Sequence, residues 1–510
     1  MGTAAATVAM VGLKAQSAGS EPNLRVGVIS DPHVTGYDNA QWMEKAFRYF
    51  ASRNVDAVLI TGDIGTTSYE QDWKAVSKAW YNVFPGDKRA DGTRVERLFL
   101  TGNHDIDDWY YRGDRAAKRL AIKDRAENRS FSFHRQELWK KYWGEDYEPI
   151  FVKTVKGYTF VLRNWLSVLG LQPEDYAVAG GGRPLYENHK SPIQEALARA
   201  LPRVQGTGRP FFYCQHDQMK DTVNATHLVA GRPWGNGEDN GYSRSFIEKY
   251  PQCVVLTGHS HNSLTDEQSI WQGRFTAVNC SCARGYAFSR PGRENGFSCP
   301  DFHRAPPFEM AKFDHGSVRQ GMVMNVYDDR IVFERREFTF DQSLGEDWVV
   351  PLFADGATVP PSGVPKYDFA ARRAAARAPQ FAPEAKVAVE TVKDGHRRTP
   401  DGMGALDKSE THAQVRVSFP PITRKTSPSR GFDFRVACEA RIGDCVRVVE
   451  ERLVLSPNFA QAESRDVEPC VCNFPRADLP TRGELRFVVT PYDCWNNAGR
   501  SIASEWRALK

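Results

Sequence analysis

The sequence predicts an α/β domain built on a mostly parallel sheet, followed by a small all-β sandwich. Two observations predict this. Between residues 24 and 102, short wholly apolar runs alternate with helical repeats, the order that lays helices over a parallel sheet. From residue 384 onward, apolar residues recur at every second position, the period of half-buried antiparallel strands. A chain of 510 residues accommodates both units, at roughly 150 residues per domain.

The elements follow in order. Residues 24–29 form the apolar run expected of a strand covered on both faces. Asn39 is the expected N-cap of a helix in which Trp42, Met43, Ala46, Phe47 and Phe50 recur at helical spacing. Residues 55–61 read as a second buried strand, Trp73, Val76, Trp80 and Val83 as a second helix, and 97–101 as a third strand. Residues 105–149 break the rhythm and predict a helical insertion. Between Arg112 and Lys141 this insertion carries ten Lys or Arg against four Asp or Glu. A solvated helix face accounts for that charge better than a cationic wall over an anionic substrate. Further strands are expected at 159–163, 211–215, 253–257 and 275–280. A hairpin is expected at 322–327 and 331–338 around Asp328-Asp329-Arg330, and it closes a first domain spanning 21–340. A Pro-rich linker, 341–383, holds one short Ala/Arg-rich helix at 369–378. Segments 386–392 and 446–455, with the alternating sets Val415/Val417/Phe419, Phe432/Phe434/Val436/Cys438 and Leu485/Phe487/Val489, give 384–510 at least five strands.

Composition narrows the function classes. Apolar residues make up 41% and charged residues 25%, which excludes a largely disordered chain. Lys plus Arg number 67 against 63 Asp plus Glu, a formal net charge of +4, so no global field draws the protein to nucleic acid and no nucleic-acid partner is expected. No run reaches the roughly 18 apolar residues of a membrane span, so no transmembrane segment is expected. Residues 1–20 carry an apolar run at 4–13 and then Ala15-Gln16-Ser17-Ala18-Gly19, the texture of a secretory signal peptide. A periplasmic or secreted protein is therefore expected, or a cytoplasmic one if this stretch is only a disordered tail. Of the ten cysteines, five fall in the first three fifths of the chain and five near its end, so neither set can pair fully within itself. Buried thiols or scattered disulfides fit them better than a metal knuckle, and for Cys214 a small buried thiol is the expected role.

Five segments share one grammar, an apolar strand that ends in His, Asp or Asn at a turn. They are Asp31-Pro32-His33, Gly62-Asp63, Gly102-Asn103-His104-Asp105, His216 and Gly258-His259-Ser260-His261. Polar residues collected beyond the carboxyl ends of parallel strands are where open α/β sheets place their sites. In Asp31-x-His33 and His259-x-His261, spacing by two puts both side chains on one face of an extended chain. Gly62, Gly102 and Gly258 permit the tight turns before them. Two carboxylates, four imidazoles and one carboxamide are oxygen and nitrogen donors suited to zinc, iron or manganese. Seven ligands exceed the needs of one tetrahedral ion, so two divalent or trivalent ions sharing a ligand are expected, roughly 3.5–4 Å apart.

This ordered set resembles the calcineurin-like metallophosphoesterase superfamily over residues 24–340. The resemblance implies a four-layer α/β/β/α sandwich with two metal ions at the strand ends. It implies that Asp31, His33 and His261 hold the first ion, that Asn103, His216 and His259 hold the second, and that Asp63 bridges them. His104 would stand beside the substrate as a catalytic residue, stabilising charge or protonating the leaving oxygen. The implied reaction is hydrolysis of a phosphomonoester or phosphodiester by in-line attack of a metal-bridging hydroxide. Departures narrow the branch. Purple acid phosphatases place a tyrosine ligand where Thr66 stands, protein Ser/Thr phosphatases carry a G-D-x-x-D-R-G run that 62–68 lacks, and lipid A precursor hydrolases put arginine at His104. The segment 487–499 resembles the last hairpin of fibronectin type III-like domains. The expectation is an exported dimetal phosphoesterase acting on a small or extracellular phosphate ester. The alternatives are a nuclease of the same superfamily, or a surface-binding protein whose C-terminal sandwich contacts a glycan or another protein.

Overall fold

The computed structural model describes residues 21–66, 70–105, 131–148, 150–165, 201–204, 206–224, 226, 242–284, 308–310, 319–398, 406–456 and 469–508. The expected signal at 1–20, most of the basic insertion, and Cys299 lie outside the described residues. Strands β1 (Leu24–Ile29), β2 (Ala57–Thr61) and β3 (Glu96–Leu100) run parallel side by side. Helices α1 (Tyr37–Ser52) and α2 (Glu70–Val83) connect them. After α3 (Phe131–Trp143) come β4 (Ile150–Val155), β5 (Tyr158–Arg163), β6 (Phe211–Cys214), α4 (Tyr242–Ile247), β7 (Cys253–Thr257), β8 (Ile270–Gln272) and β9 (Thr276–Asn279). They make a second sheet of order β4-β5-β6-β7-β9-β8, parallel through its four central strands. A short strand, β10 (Phe308–Met310), departs from both sheets. The chain then returns to the first sheet through β11 (Gln320–Val326), β12 (Arg330–Glu337), β13 (Gln342–Ser343) and β14 (Trp348–Pro351). Its order is β13-β12-β11-β1-β2-β3, with β14 also paired to β12.

Side-chain parity shows how the layers stack. A Cβ at Gly27 would strike the ring of Phe50, so that face of β1 meets α1, while Val26 and Val28 point the opposite way. Alternate residues of the second sheet (Phe160, Leu162, Phe212, Leu256, Val278) share one core with Val26 and Val28. Their neighbours Val161, Phe211, Tyr213, Val255 and Ala277 pack in a separate core with Ile247 of α4 and Phe369 of α5 (Phe369–Ala375). The stack is helix, sheet, sheet, helix. Inner strands β2, β6 and β7 are buried along their whole length, as the uninterrupted apolar runs require.

Three of the boundaries that differ from the sequence reading have a plain physical reason. Helix α1 begins at Tyr37, so Asn39 lies in its first turn. Gly36 holds the cap at φ 150, a backbone conformation that L side chains rarely adopt. Helix α5 stops at Ala375 rather than 378, with Asp368 capping it by accepting from the Ala371 amide at 2.8 Å. The Pro-rich stretch 341–383 opens with β13 and β14, which extend the first sheet. Strands of two and four residues are too short to show a period.

Beyond α5, β15 (Ala388–Arg398), β16 (Leu406–Phe419) and β19 (Cys470–Pro475) form a three-stranded sheet. Strands β17 (Asp433–Ile442), β18 (Cys445–Leu455), β20 (Glu484–Tyr492) and β21 (Ile502–Ala503) form a second sheet, which β10 joins parallel to β18. Val415, Val417 and Phe419 from the first of these sheets meet Phe434, Val436, Phe487 and Val489 from the second in one buried core. That is the alternating pattern of the sequence closed into a sandwich. Cys214, for which a small buried thiol was expected, is a fully buried free thiol.

The sandwich is joined to the α/β unit around Glu267. Its carboxylate accepts from Arg335 of β12 at 3.0 Å and from Arg372 of α5 at 2.7 Å, and Arg424 of the sandwich lies at 3.5 Å. Trp495 packs edge-on against Phe369 with ring centroids 5.3 Å apart and lies beneath the Arg372 guanidinium. Burial alone would push the Glu267 carboxyl up, but the guanidiniums of Arg335, Arg372 and Arg424 pull it down to about 2. A depressed carboxyl contributes stability that is present above its unfolded value and lost as pH falls toward the folded one. Glu267→Gln is therefore expected to cost about 2–3 kcal/mol at pH 7 in denaturant titrations. The gap to the parent should close as pH drops from about 4.5 to 2.

Candidate metal centre

Every predicted site residue lies just past the carboxyl end of a parallel strand. Asp31 and His33 follow β1, Asp63 follows β2, Asn103 and His104 follow β3, His216 follows β6, and His259 and His261 follow β7. The first and second sheets thus contribute from opposite sides of the central core. Loops from different strands are tied to one another by backbone bonds. Asp31 donates to the Gly62 carbonyl at 3.0 Å, His33 to that of Asp63 at 3.0 Å, and Gly258 to that of His216 at 2.8 Å.

The backbone of these loops departs from the extended chain expected for the D-x-H and H-x-H pairs. Asp31, His33, Asp63, His259 and His261 all adopt left-handed φ, between 46° and 67°. Each such residue costs roughly 1–2 kcal/mol, offset here by the loop-to-loop bonds. Tight turns bring the paired side chains together where an extended run would have placed them farther along the strand. The glycines differ in their reasons. Gly62 needs its freedom at φ 97, whereas Gly102 and Gly258 have ordinary φ and are there for room. A Cβ on Gly102 would strike Asp63, and one on Gly258 would strike Ser30 and Asp31.

The structure brings all seven predicted ligands together. Donor atoms of Asp31, His33, Asp63 and His261 form one group within 4.8 Å, and those of Asp63, His216 and His259 form a second, so Asp63 belongs to both. Asn103 Oδ1 joins the second group, 3.0 Å from His216 Nε2. Asp63 Oδ2 lies 3.5 Å from His33 Nε2 and 3.3 Å from His216 Nε2. Its Oδ1 accepts from the His104 backbone amide at 2.8 Å. All but His261 are buried. His104 stands edge-on to His33 with ring centroids 4.6 Å apart, outside both groups.

This donor set fits a pair of cations. His33 Nε2 and His261 Nε2 face each other at 3.1 Å, as do His216 Nε2 and His259 Nδ1. Nitrogen lone pairs at that separation need a proton or a cation between them. His216 donates from Nδ1 to the Thr61 carbonyl at 2.8 Å, which turns its Nε2 lone pair toward the centre. Burial would raise the Asp63 carboxyl, yet His216 and His104 hold it well below its ordinary value. Burial would lower His216, but Asp63 and Asp31 lift it to about 10. Burial drives His33 and His259 down. Buried carboxylates demand neutralising charge close by, which cations or protons on the imidazoles supply.

Several supporting residues carried no assigned role in the sequence. Asp105, although part of the G-N-H-D run, accepts backbone bonds from Ile64 at 3.1 Å, Gly65 at 2.7 Å and Gly102 at 2.8 Å, latching the loops after β2 and β3. Burial and the Asp63 charge push its carboxyl up to about 7. Asp31 Oδ2 accepts from the His259 amide at 2.9 Å, which ties the two sheets at the centre. The segment after β9 also reaches the site. Ala283 donates to the Ser30 carbonyl at 2.7 Å, Cys282 Sγ contacts the Asp31 carbonyl at 3.2 Å, and the charge of Arg284 depresses both His33 and His104. No motif announced Arg284. Trp165 stands against His216 and His259, with both centroid distances 5.6 Å.

No curated protein matches the chain significantly. Among solved structures, a dimetal phosphatase from Danio rerio is similar at 12% identity and a TM-score of 0.36, over 65% of this chain and 99% of that one. A purple acid phosphatase from yellow lupin is similar at 10% identity and a TM-score of 0.32, over 64% of this chain and 54% of that one. The GAP50 anchor of the Plasmodium inner membrane complex is similar at 10% identity and a TM-score of 0.34, over 67% of this chain and 98% of that one. The family model for calcineurin-like phosphoesterases matches residues 24–263, the span that runs from β1 through the H-x-H turn after β7. Together with the mixed-sheet fold and the strand-end cluster, that match makes the N-terminal unit of this chain a member of the calcineurin-like phosphoesterase family.

Proposed function

We propose that this protein is a dimetal-dependent hydrolase of a phosphomonoester or phosphodiester. In this reading Asp31, His33 and His261 hold one ion, Asn103, His216 and His259 hold the other, and Asp63 lies between them. The observation that carries the proposal is the membership of Asp63 in both donor groups. When bound, two such ions, manganese, iron or zinc, lower the pKa of a water between them and neutralise phosphate oxygens.

The chain's own residues supply orientation and proton handling. His104 lies beside the first donor group, with Nδ1 donating to the Thr66 carbonyl at 3.3 Å. Burial holds its imidazole below the ordinary value, Asp63 offsetting this only in part. The negative charge of a phosphate ester beside the ring favours the imidazolium, which takes its proton from solvent, and Nε2 then passes that proton to the leaving oxygen. Arg284, on the loop anchored to Ser30 and Asp31, supplies a fixed positive charge to a phosphate oxygen. Thr66 turns its hydroxyl to the His33 carbonyl at 2.7 Å, which supports a site without a ligand at that position.

Metal-stripped protein should regain turnover of a chromogenic phosphate ester when manganese, zinc or iron is added back, and Asp63→Asn should lose it. The ratio of diester to monoester turnover assigns the substrate class. Failure to take up metal would sink the proposal. His104→Ala should keep its metal content while kcat falls about 100-fold. Arg284→Ala should instead raise KM about tenfold, the value of one charge-assisted bond to phosphate. An unchanged KM would remove Arg284 from the site.

A further inference from the structure

Asp31 offers the cluster only one of its two carboxylate oxygens. Oδ1 lies 2.9 Å from His261 Nε2, 3.7 Å from His33 Nε2 and 3.9 Å from His216 Nε2. Oδ2 instead accepts from two protein donors, the Ser30 hydroxyl at 2.5 Å and the His259 amide at 2.9 Å. An ionised carboxylate oxygen has about two lone-pair directions, so those donors fill Oδ2 and leave Oδ1 open toward the imidazoles.

Ser30 is the first residue past β1 and is fully buried. Its hydroxyl has a second acceptor in reach, the Thr61 carbonyl at 3.4 Å, but the carboxylate is nearer and charged and receives the stronger bond. The loop after β9 fixes the Ser30 backbone, with Ala283 donating to its carbonyl at 2.7 Å. The turn after β7 makes room for the contact. A Cβ on Gly258 would stand 1.9 Å from the hydroxyl oxygen and 2.5 Å from Asp31 Oδ2. The same turn supplies the His259 amide, so loops from both sheets fix one oxygen of Asp31.

We propose that Ser30 is a positioning residue for the first ion: with the His259 amide, its hydroxyl locks Asp31 so that Oδ1 alone serves as a ligand. The proposal rests on the dimetal reading of the cluster. A ligand that lends one oxygen leaves a coordination position for solvent or a phosphate oxygen, which a catalytic site needs and a closed structural site lacks. Without the hydroxyl, Oδ2 keeps a single donor, and the carboxylate is free to turn about its Cβ–Cγ bond. Groups that orient metal ligands in this way typically account for roughly 10–100-fold in metal affinity.

The test is calorimetric titration of manganese(II) into metal-stripped, full-length protein, where the step abolished by His33→Ala belongs to the first ion. Ser30→Ala should weaken that step at least about tenfold and leave the other within about threefold. This split separates positioning from mere packing, because His259 bonds to the same oxygen and serves the second ion, so a loosened core would weaken both steps. Ser30→Thr, which keeps the hydroxyl, should hold the first step within about threefold of the parent. Ser30→Cys leaves only a weak donor at that position and should weaken the first step in the same sense, so the test survives if Ser30→Ala does not fold. The proposal is overturned if Ser30→Ala binds both ions with the parent's affinities, if it weakens both steps alike, or if Ser30→Thr falls as far as Ser30→Ala. A parent protein that takes up no manganese would overturn the dimetal reading and this proposal together, whereas two ions held equally by parent and Ser30→Ala would overturn this proposal alone.

Discussion

Burying Asp63 among imidazoles at the meeting point of two sheets is what the remaining architecture accommodates. A carboxylate with no exposure must be compensated within a few ångströms. Here compensation comes from His33 on the first sheet, His216 on the second, and the His104 amide from the loop after β3. Those groups converge only if β1, β2 and β3 end at the same level as β6 and β7 across the central core. The sheet-to-sheet packing of Val26 and Val28 against Phe212 and Leu256 is therefore also what sets the site's dimensions. Gly62 and Gly102 follow from the same constraint, because side chains there would occupy the space of His216 and Asp63.

The second constraint lies on the loop that begins at His261 and runs into Glu267. It is held by Gln320 Oε1 accepting from the Leu264 amide at 2.8 Å, by Ser269 Oγ on the Ser263 carbonyl at 2.9 Å, and by Asn224 on Asp266 at 2.9 Å. One end of this hydrogen-bonded loop presents an imidazole to the cluster, and the other presents the carboxylate that gathers arginines from both domains. The placement of the sandwich is thus anchored on the same short segment that completes the site. Strand β10, which leaves the α/β unit to pair with β18, adds a backbone tie between the two.

Much of this was legible in the sequence because buried parallel strands are unbroken apolar runs. Residues 24–29 and 253–257 mark β1 and β7 without a shift, and the polar residues at their ends are the cluster itself. The sandwich was legible for the opposite reason, since alternation at Val415, Val417 and Phe419 is a direct image of one buried face. Three kinds of feature were not. The left-handed turns at Asp31, His33 and His259 depend on hydrogen bonds to neighbouring loops, which local residue preferences do not encode. Strands β13 and β14 are too short to carry a period and form because β12 offers an edge. Arg284 and the Glu267 cluster join residues far apart in the chain, where no spacing rule applies.

The most direct test of a carboxylate shared between two ions is magnetic. Protein loaded with manganese(II) should bind two ions per chain, and its electron paramagnetic resonance spectrum should carry the multiline signal of an exchange-coupled pair. That coupling should collapse in Asp63→Ala while His33→Ala loses only one ion. One ion per chain, or two ions with uncoupled spectra in the parent protein, would contradict the account.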